Sequence, residues 1–184
     1  MPKDKEIEIK LVFKNKKAII SKLKPFIKFK GKLNIHDSYY GHGFDMRNIN
    51  NLVRIRTVNK KKSELTFKGK AKDRKNIWYR TEISTQIKSP EKMEKILLNL
   101  GLNKISEYKS EKEFWKYKKQ NVVFAKFTIP ARLTFMEIEG NSEKEIKETV
   151  KLLGNNVKEV GEEIFKIFDK ARLDKTGKNK NRKN

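Results

Sequence analysis

Six short segments alternate charged and apolar residues at the period of a β-strand. They are Glu6-Ile7-Glu8-Ile9-Lys10, Arg54-Ile55-Arg56, Glu64-Leu65-Thr66-Phe67-Lys68, Arg80-Thr81-Glu82-Ile83, the weaker run Lys109 to Lys112, and Glu137-Ile138-Glu139. Strand side chains repeat every two residues, so the charges of each segment share one face. The wider pattern predicts strands over 6–13, 52–58, 63–68 and 78–87, with 59–62 as the turn of a hairpin. Strand-like runs follow near 105–108, 114–117, 122–127 and 133–139. Residues 39–51, with Gly41 and Gly43, and the polar 71–75 read as loops.

Four helices are predicted. The first covers 16–23 and ends near Pro25. The second has Ser89 as N-cap, Pro90 at its first position and Gly101 closing it, with Met93, Ile96, Leu97 and Leu100 as its apolar stripe. The third opens at Ser142, with Glu145 completing a capping box, and ends at Gly154. A last amphipathic helix is expected over 160–173, then a basic, disordered tail over 175–184. Two strand-then-helix units form a weak repeat: Arg80-Thr81-Glu82-Ile83 leads to Leu100-Gly101, and Met136-Glu137-Ile138-Glu139 leads to Leu153-Gly154. Two such halves could close a barrel around the charged faces.

Composition narrows the chemistry. A length of 184 residues suits one domain, placed at 1–174, with an economical core from 36% hydrophobic residues. The absence of cysteine excludes disulfides, thiolate catalysis and Cys-ligated zinc. No apolar run approaches the roughly 18–20 residues of a membrane span. Met1-Pro2-Lys3-Asp4-Lys5 has no apolar stretch behind it, so a cytoplasmic location is the expectation. The formal charge of +23 attracts polyanions. Lys and Asn both rise in AT-rich genomes, which accounts for much of the surface Lys. It accounts less well for Arg54, Arg56 and Arg80, which all fall in strand-like segments.

A single strand with a charged face ordinarily turns that face to water. Six in one chain favour a shared lining of carboxylates beside Arg and Lys, suited to a polyphosphate carrying a divalent metal. An open sheet, charged on one face, remains the alternative. His36 and His42 stand alone and read as loop or surface histidines. There is no Walker-type phosphate loop, dinucleotide fingerprint or Ser/His/Asp constellation.

Taken in order, these segments resemble the CYTH superfamily of triphosphate tunnel metalloenzymes, which includes class IV adenylate cyclases and thiamine triphosphatases. Its Glu-x-Glu-x-Lys signature is matched by Glu6 to Lys10, its Arg-x-Arg strand by Arg54 to Arg56, and its Leu-Thr-x-Lys-Gly strand by Leu65 to Gly69. Arg80-Thr81-Glu82 and Glu137-Ile138-Glu139 match its Arg-x-Glu and late Glu-x-Glu strands. Asp37-Ser38-Tyr39-Tyr40 and the run from Leu52 to Asn59 resemble the cyclase-type branch. The second half departs from the pattern: Lys109-Ser110-Glu111-Lys112 lacks the usual Arg, with Lys112 falling closest to it, and 127–133 lacks the usual Asp and Leu-Gly.

The resemblance implies an α+β fold, an antiparallel eight-stranded β-barrel flanked by helices, and a metal-dependent enzyme acting on ATP, thiamine triphosphate or tripolyphosphate. Glu6, Glu8, Glu137 and Glu139 would hold Mg²⁺ or Mn²⁺. Lys10, Arg54, Arg56, Lys68, Arg80, Lys109 and Lys112 would cradle the phosphates, with Lys10, Arg56 and Glu82 closest to catalysis. Cyclase and hydrolase share this apparatus and both stay open. The competing class is a catalytically degenerate protein binding polyphosphate or RNA on its basic surface. No membrane partner is expected, and a homodimer stays open.

Overall fold

The computed structural model describes residues 5–43, 51–70, 72–74, 76–160 and 168. In chain order the elements are β1 (Lys5–Phe13), α1 (Lys16–Leu23), β2 (Ile27–Gly41), β3 (Leu52–Val58), β4 (Lys62–Lys68), β5 (Lys72–Arg74), β6 (Ile77–Ile87), α2 (Pro90–Asn99), β7 (Asn103–Tyr117), β8 (Gln120–Ile129), β9 (Leu133–Glu139), α3 (Glu143–Leu153) and β10 (Val157–Glu159). Neighbouring strands run β1-β9-β8-β7-β2-β3-β4-β6, and β6 pairs back onto β1, closing an antiparallel barrel of eight strands. The short β5 and β10 extend β6 and β1 outside that ring.

The closing seam follows from the alternation in β1. Glu6 and Glu8 stand opposite Arg80 and Trp78 of β6, while Glu8 and Lys10 stand opposite Glu139 and Glu137 of β9. Partners across a ladder share a face, so the charged face of β1 joins both neighbours on one side of the wall. The other side carries Ile7, Ile9 and Leu11. These pack with Val122, Phe124, Met136 and Ile138 of β8 and β9 against Ile19 and Leu23 of α1 and Ile146 and Leu153 of α3. The main core therefore lies outside the barrel, between wall and helices, and its burial turns the charged faces inward. A smaller cluster of Tyr40, Ile55 and Leu97 seats α2 on the opposite side.

Ser89 and Ser142 cap their helices as expected, Asn15 is a cap the sequence reading did not name, and no return bond from the Glu145 side chain to Ser142 is present among the described residues. Asn15 accepts from the Lys17 and Ala18 amides, Ser89 from that of Lys92 and Ser142 from that of Glu145. Gly101 and Gly154 take φ of +82° and +55° beyond their helices. Four expectations change. The region over 27–41 is one long strand, β2, so Tyr39 to Gly41 are strand rather than loop. The two runs at 105–108 and 114–117 are one 15-residue strand, β7, and Lys72–Arg74 pairs with β6 rather than forming a loop. On α2 only Leu97 is buried, at 6% exposure; Ile96 and Leu100 are 50% and 69% exposed. The expected helix at 160–173 lies outside the described residues except for Val160 and Phe168, and the tail at 175–184 lies outside them entirely.

Candidate active site

The barrel interior is assembled by register. Around the ring, the ladders align Lys10 with Glu137, Asp37 with Arg56, Arg54 with Thr66, Lys68 with Glu82, and Glu6 with Arg80. Lys112 joins the same face through Ala125 of β8, itself opposite Phe135, two residues from Glu137. Strands from all parts of the chain thus deliver their charged faces to one space. Lys10, Asp37, Arg54, Thr66, Lys68 and Lys112 are all buried.

Buried charges need partners, and the interior supplies them in pairs. Arg56 donates to both oxygens of Asp37, Nε to Oδ1 at 2.7 Å and Nη2 to Oδ2 at 2.8 Å. Lys112 Nζ donates to Glu137 Oε2 at 2.9 Å. Lys10 pairs with Glu8, and Lys68 with Glu82, its Nζ also lying 4.0 Å from Glu6. Arg54 Nη2 donates to Thr66 Oγ1 at 3.0 Å and meets Glu64 at 3.4 Å, yet its buried Nε has no partner among the described residues. Arg80 faces Glu6 in the register without an ion pair among the described residues. A buried guanidinium donor left free on this inner face is available to take an anion as its partner.

Burial and neighbouring charges divide the carboxylates into two groups. Burial disfavours the Glu137 carboxylate, but Lys112 and Lys10 outweigh it and hold its pKa near 2. Burial likewise opposes the charge on Asp37, and the two bonds from Arg56 carry its pKa below the ordinary value. Glu6 moves the other way, pushed up by burial and by its bond to Glu82, whose own pKa falls as it accepts from Glu6 and Lys68. Glu139 is also raised by burial and by the charges of Glu6, Glu8 and Glu137, despite the bond from Asn121 at 3.1 Å. The end of the interior holding Glu6, Glu8 and Glu139 therefore gathers carboxylates, with Lys10 on Glu8 and Lys68 4.0 Å from Glu6 as the neighbouring cations.

This bears on a divalent ion. The donor set is all oxygen, as Mg²⁺ or Mn²⁺ requires, and Glu8 stands directly across from Glu139. Among the described residues no three carboxylate or imidazole groups already converge as a ligand set. Glu8 is turned to Lys10, and Glu137 to Lys112. The chemistry fits a hard cation at the Glu6–Glu8–Glu139 end, with side-chain rotation needed to form the shell. Glu137 sits among cations and is the poorest of the four candidates.

Of the expected phosphate ligands, Lys10, Arg54, Arg56, Lys68, Arg80 and Lys112 share the inner face. Lys109 does not. It alternates with Ser110 to the outer wall, where its Nζ lies 3.6 Å from Glu107. The pattern in 109–112 points Lys109 and Lys112 to opposite faces, and the odd spacing was the available signal. Sequence reasoning named Asp37 only within a branch-like segment and missed that it fixes Arg56, and it passed over Trp78, whose ring lies 5.6 Å from Lys10 Nζ.

It missed the aromatic end of the interior as well. Tyr108, Phe127, Phe135 and Phe168 are buried together, with Tyr39 and Leu133 against them. Phe127 stacks on Phe135, and Phe168 lies 5.1 Å from both Tyr108 and Phe127. The interior is charged along most of its lining and packed with rings at this end.

Comparison with known proteins agrees with this architecture. The CYTH domain family matches residues 4–179. No curated protein matches the chain. A protein of Pyrococcus horikoshii superposes with a TM-score of 0.68 at 23% identity, covering 83% of this chain and 94% of its own. A conserved hypothetical protein of Pyrococcus furiosus gives 0.63 at 26%, covering 82% and 94%. A Hippeastrum protein, described as an adenylyl cyclase candidate with a dominant triphosphatase activity, gives 0.65 at 17%, covering 90% and 95%. With a matched sequence signature running nearly its whole length and a closed barrel of charged interior, this chain belongs to the CYTH domain family.

Proposed function

We propose that this protein is a divalent-metal-dependent hydrolase of triphosphates, with the substrate's phosphate chain held inside the barrel. One observation carries the reading: buried Arg and Lys side chains line an enclosed space in which the carboxylates at least match them in number. A triphosphate entering alone would leave excess negative charge out of water, which is costly. A metal ion entering with the triphosphate offsets part of that charge.

Arg54 and Arg56 bind non-bridging phosphoryl oxygens, a task suited to planar guanidinium groups. The unsatisfied Nε of Arg54 gains its acceptor in this way. Arg80 is available for a further contact beside Glu6. Lys10, Lys68 and Lys112 place fixed positive charge where the leaving phosphate develops negative charge. Asp37 locks Arg56, and Glu82 holds Lys68, so neither cation must reorganise during reaction. Glu6, Glu8 and Glu139 would hold Mg²⁺ or Mn²⁺, which supplies Lewis-acid neutralisation of the phosphoryl oxygens. Water attacks the terminal phosphorus, the bond to the bridging oxygen breaks, and orthophosphate and the shortened chain leave.

A second reading is cyclase-type chemistry, in which a ribose 3′-hydroxyl attacks the α-phosphate and pyrophosphate leaves. The segment Asp37-Ser38-Tyr39-Tyr40 favours it. Against it stands the ring packing around Phe168, which fills one end of the interior where a nucleoside would need room.

The Glu6→Gln/Glu8→Gln double variant tests the metal role. Phosphate release from tripolyphosphate in Mg²⁺ or Mn²⁺ should fall at least a hundredfold while the circular dichroism spectrum stays unchanged. Wild-type turnover in excess chelator, or full turnover by the variant, would remove the metal from the proposal.

A further inference from the structure

We propose that the outer wall of the barrel carries a second, metal-independent binding site for a short phosphate chain. A cleft of about 450 Å³ opens there, across β2, β3, β7 and β8, on the face opposite the charged interior. Its lining includes Lys60, Lys109 and Lys126, with His36 and the hydroxyls of Thr57 and Thr128. The ladders place His36 against Thr57 on one side and Lys109 on the other, and Glu111 against Lys126, so these groups share one continuous outward surface.

Lysine is abundant over the whole protein, so lysine content alone carries nothing. Two features set this cleft apart. First, the one lining carboxylate, Glu111, is engaged by Lys32 at 2.8 Å, and nearby Glu107 is shared among His36, Lys104 and Lys109. Second, the Lys60 backbone is held in place at a conformational cost.

That cost lies in the β3–β4 turn. Asn59 and Lys60 both have positive φ, +50° and +57°, and the Lys61 amide donates to the Val58 carbonyl at 3.0 Å. Such a turn strongly prefers Asn-Gly at its two central positions. Asn59 obeys; the glycine position holds a lysine. The turn is also tied to β2, because the Asn59 amide donates to the Asn34 carbonyl and the Asn34 amide to Asn59 Oδ1, both at 2.9 Å. Asn34 itself lines the cleft. The backbone of a strained lysine is thereby fixed at the rim of a basic cleft.

The ligand class follows from size and charge. A cleft of this volume lies within the roughly 300–1,000 Å³ range of small-molecule sites. Ammonium groups, with no free lining carboxylate, suit a short oligophosphate. They offer no hard-cation ligand set, so binding here needs no metal.

The test uses full-length protein in excess EDTA, titrated calorimetrically with tripolyphosphate. The expected result is binding that the Lys60→Gly/Lys126→Ala variant weakens at least about tenfold. The variant should keep the wild-type melting temperature or exceed it, because glycine relieves the turn. It should also keep metal-dependent turnover, since neither lysine lines the interior. Absence of EDTA-resistant binding, or binding untouched by the double variant, would overturn the proposal. Tighter binding of a single-stranded RNA than of tripolyphosphate, lost in the same variant, would overturn it in favour of a nucleic-acid surface.

Discussion

At the residue scale, the interior shows how a buried charge can serve both fold and chemistry. The Asp37–Arg56 pair is bidentate, and removing Arg56 alone strands a carboxylate. Arg56→Ala should therefore cost up to roughly 3 kcal/mol of stability. Adding Asp37→Asn should restore much of that loss in a denaturant titration while leaving triphosphate turnover as low as in the single variant. Recovery of turnover together with stability would mean that Arg56 is structural only. Glu137 makes a second residue-level prediction. Its folded pKa, near 2, lies below the ordinary 4.5, so the unfolded chain binds more protons between those values. The stabilisation is complete above about pH 4.5 and is lost as pH falls toward 2. Glu137→Gln should cost on the order of 3 kcal/mol at neutral pH and flatten the acid limb of the stability curve. An unchanged acid limb would show that Lys112 and Lys10 do not hold the Glu137 charge. Sequence made Arg54, Arg56, Glu6 and Lys10 legible because their spacing of two fixes a common face. Asp37 was not, because its partner lies on another strand and pairing across strands leaves no local mark.

At the element scale, short strands with clean alternation were read within a residue or two: Leu52–Val58 and Leu133–Glu139 stand as predicted. Strand β2 escaped for a physical reason. Gly31, at φ +146°, sits at a register shift between Phe29 and Gly31, which breaks the alternation. The C-terminal part of β2 also presents Asp37, Ser38, Tyr39 and Tyr40, a mixture that fits loop chemistry until a charged interior is available to receive it. Helix α2 shows the opposite error. Its caps were legible, but four apolar positions read as one stripe although the helix rests on the wall through a narrower face. Leu97→Ala should cost roughly 2–3 kcal/mol, whereas Ile96→Ser and Leu100→Ser should change unfolding free energy by no more than about 0.5 kcal/mol. Equal costs at the three positions would mean that α2 buries the whole stripe.

At the scale of the whole molecule, the weak repeat is realised as two sets of strands each followed by a helix, with β1 as the stave joining β9 to β6. That closure decides between an enclosed interior and an open charged sheet, and periodicity alone could not make the choice. It depends on pairing residues near the start of the chain with partners near 80 and near 138. Among the described residues no helix is long and apolar enough to cross a membrane. The central claim is that the closed interior processes a triphosphate with a metal ion. Phosphorus NMR of the protein incubated with tripolyphosphate, thiamine triphosphate or ATP, in Mg²⁺ or Mn²⁺ and again in excess chelator, tests it most directly. The account predicts metal-dependent appearance of orthophosphate and the matching diphosphate. Cyclic nucleotide and pyrophosphate from ATP would replace the hydrolase with the cyclase reading, and no product from any of the three would contradict the claim of an enzyme.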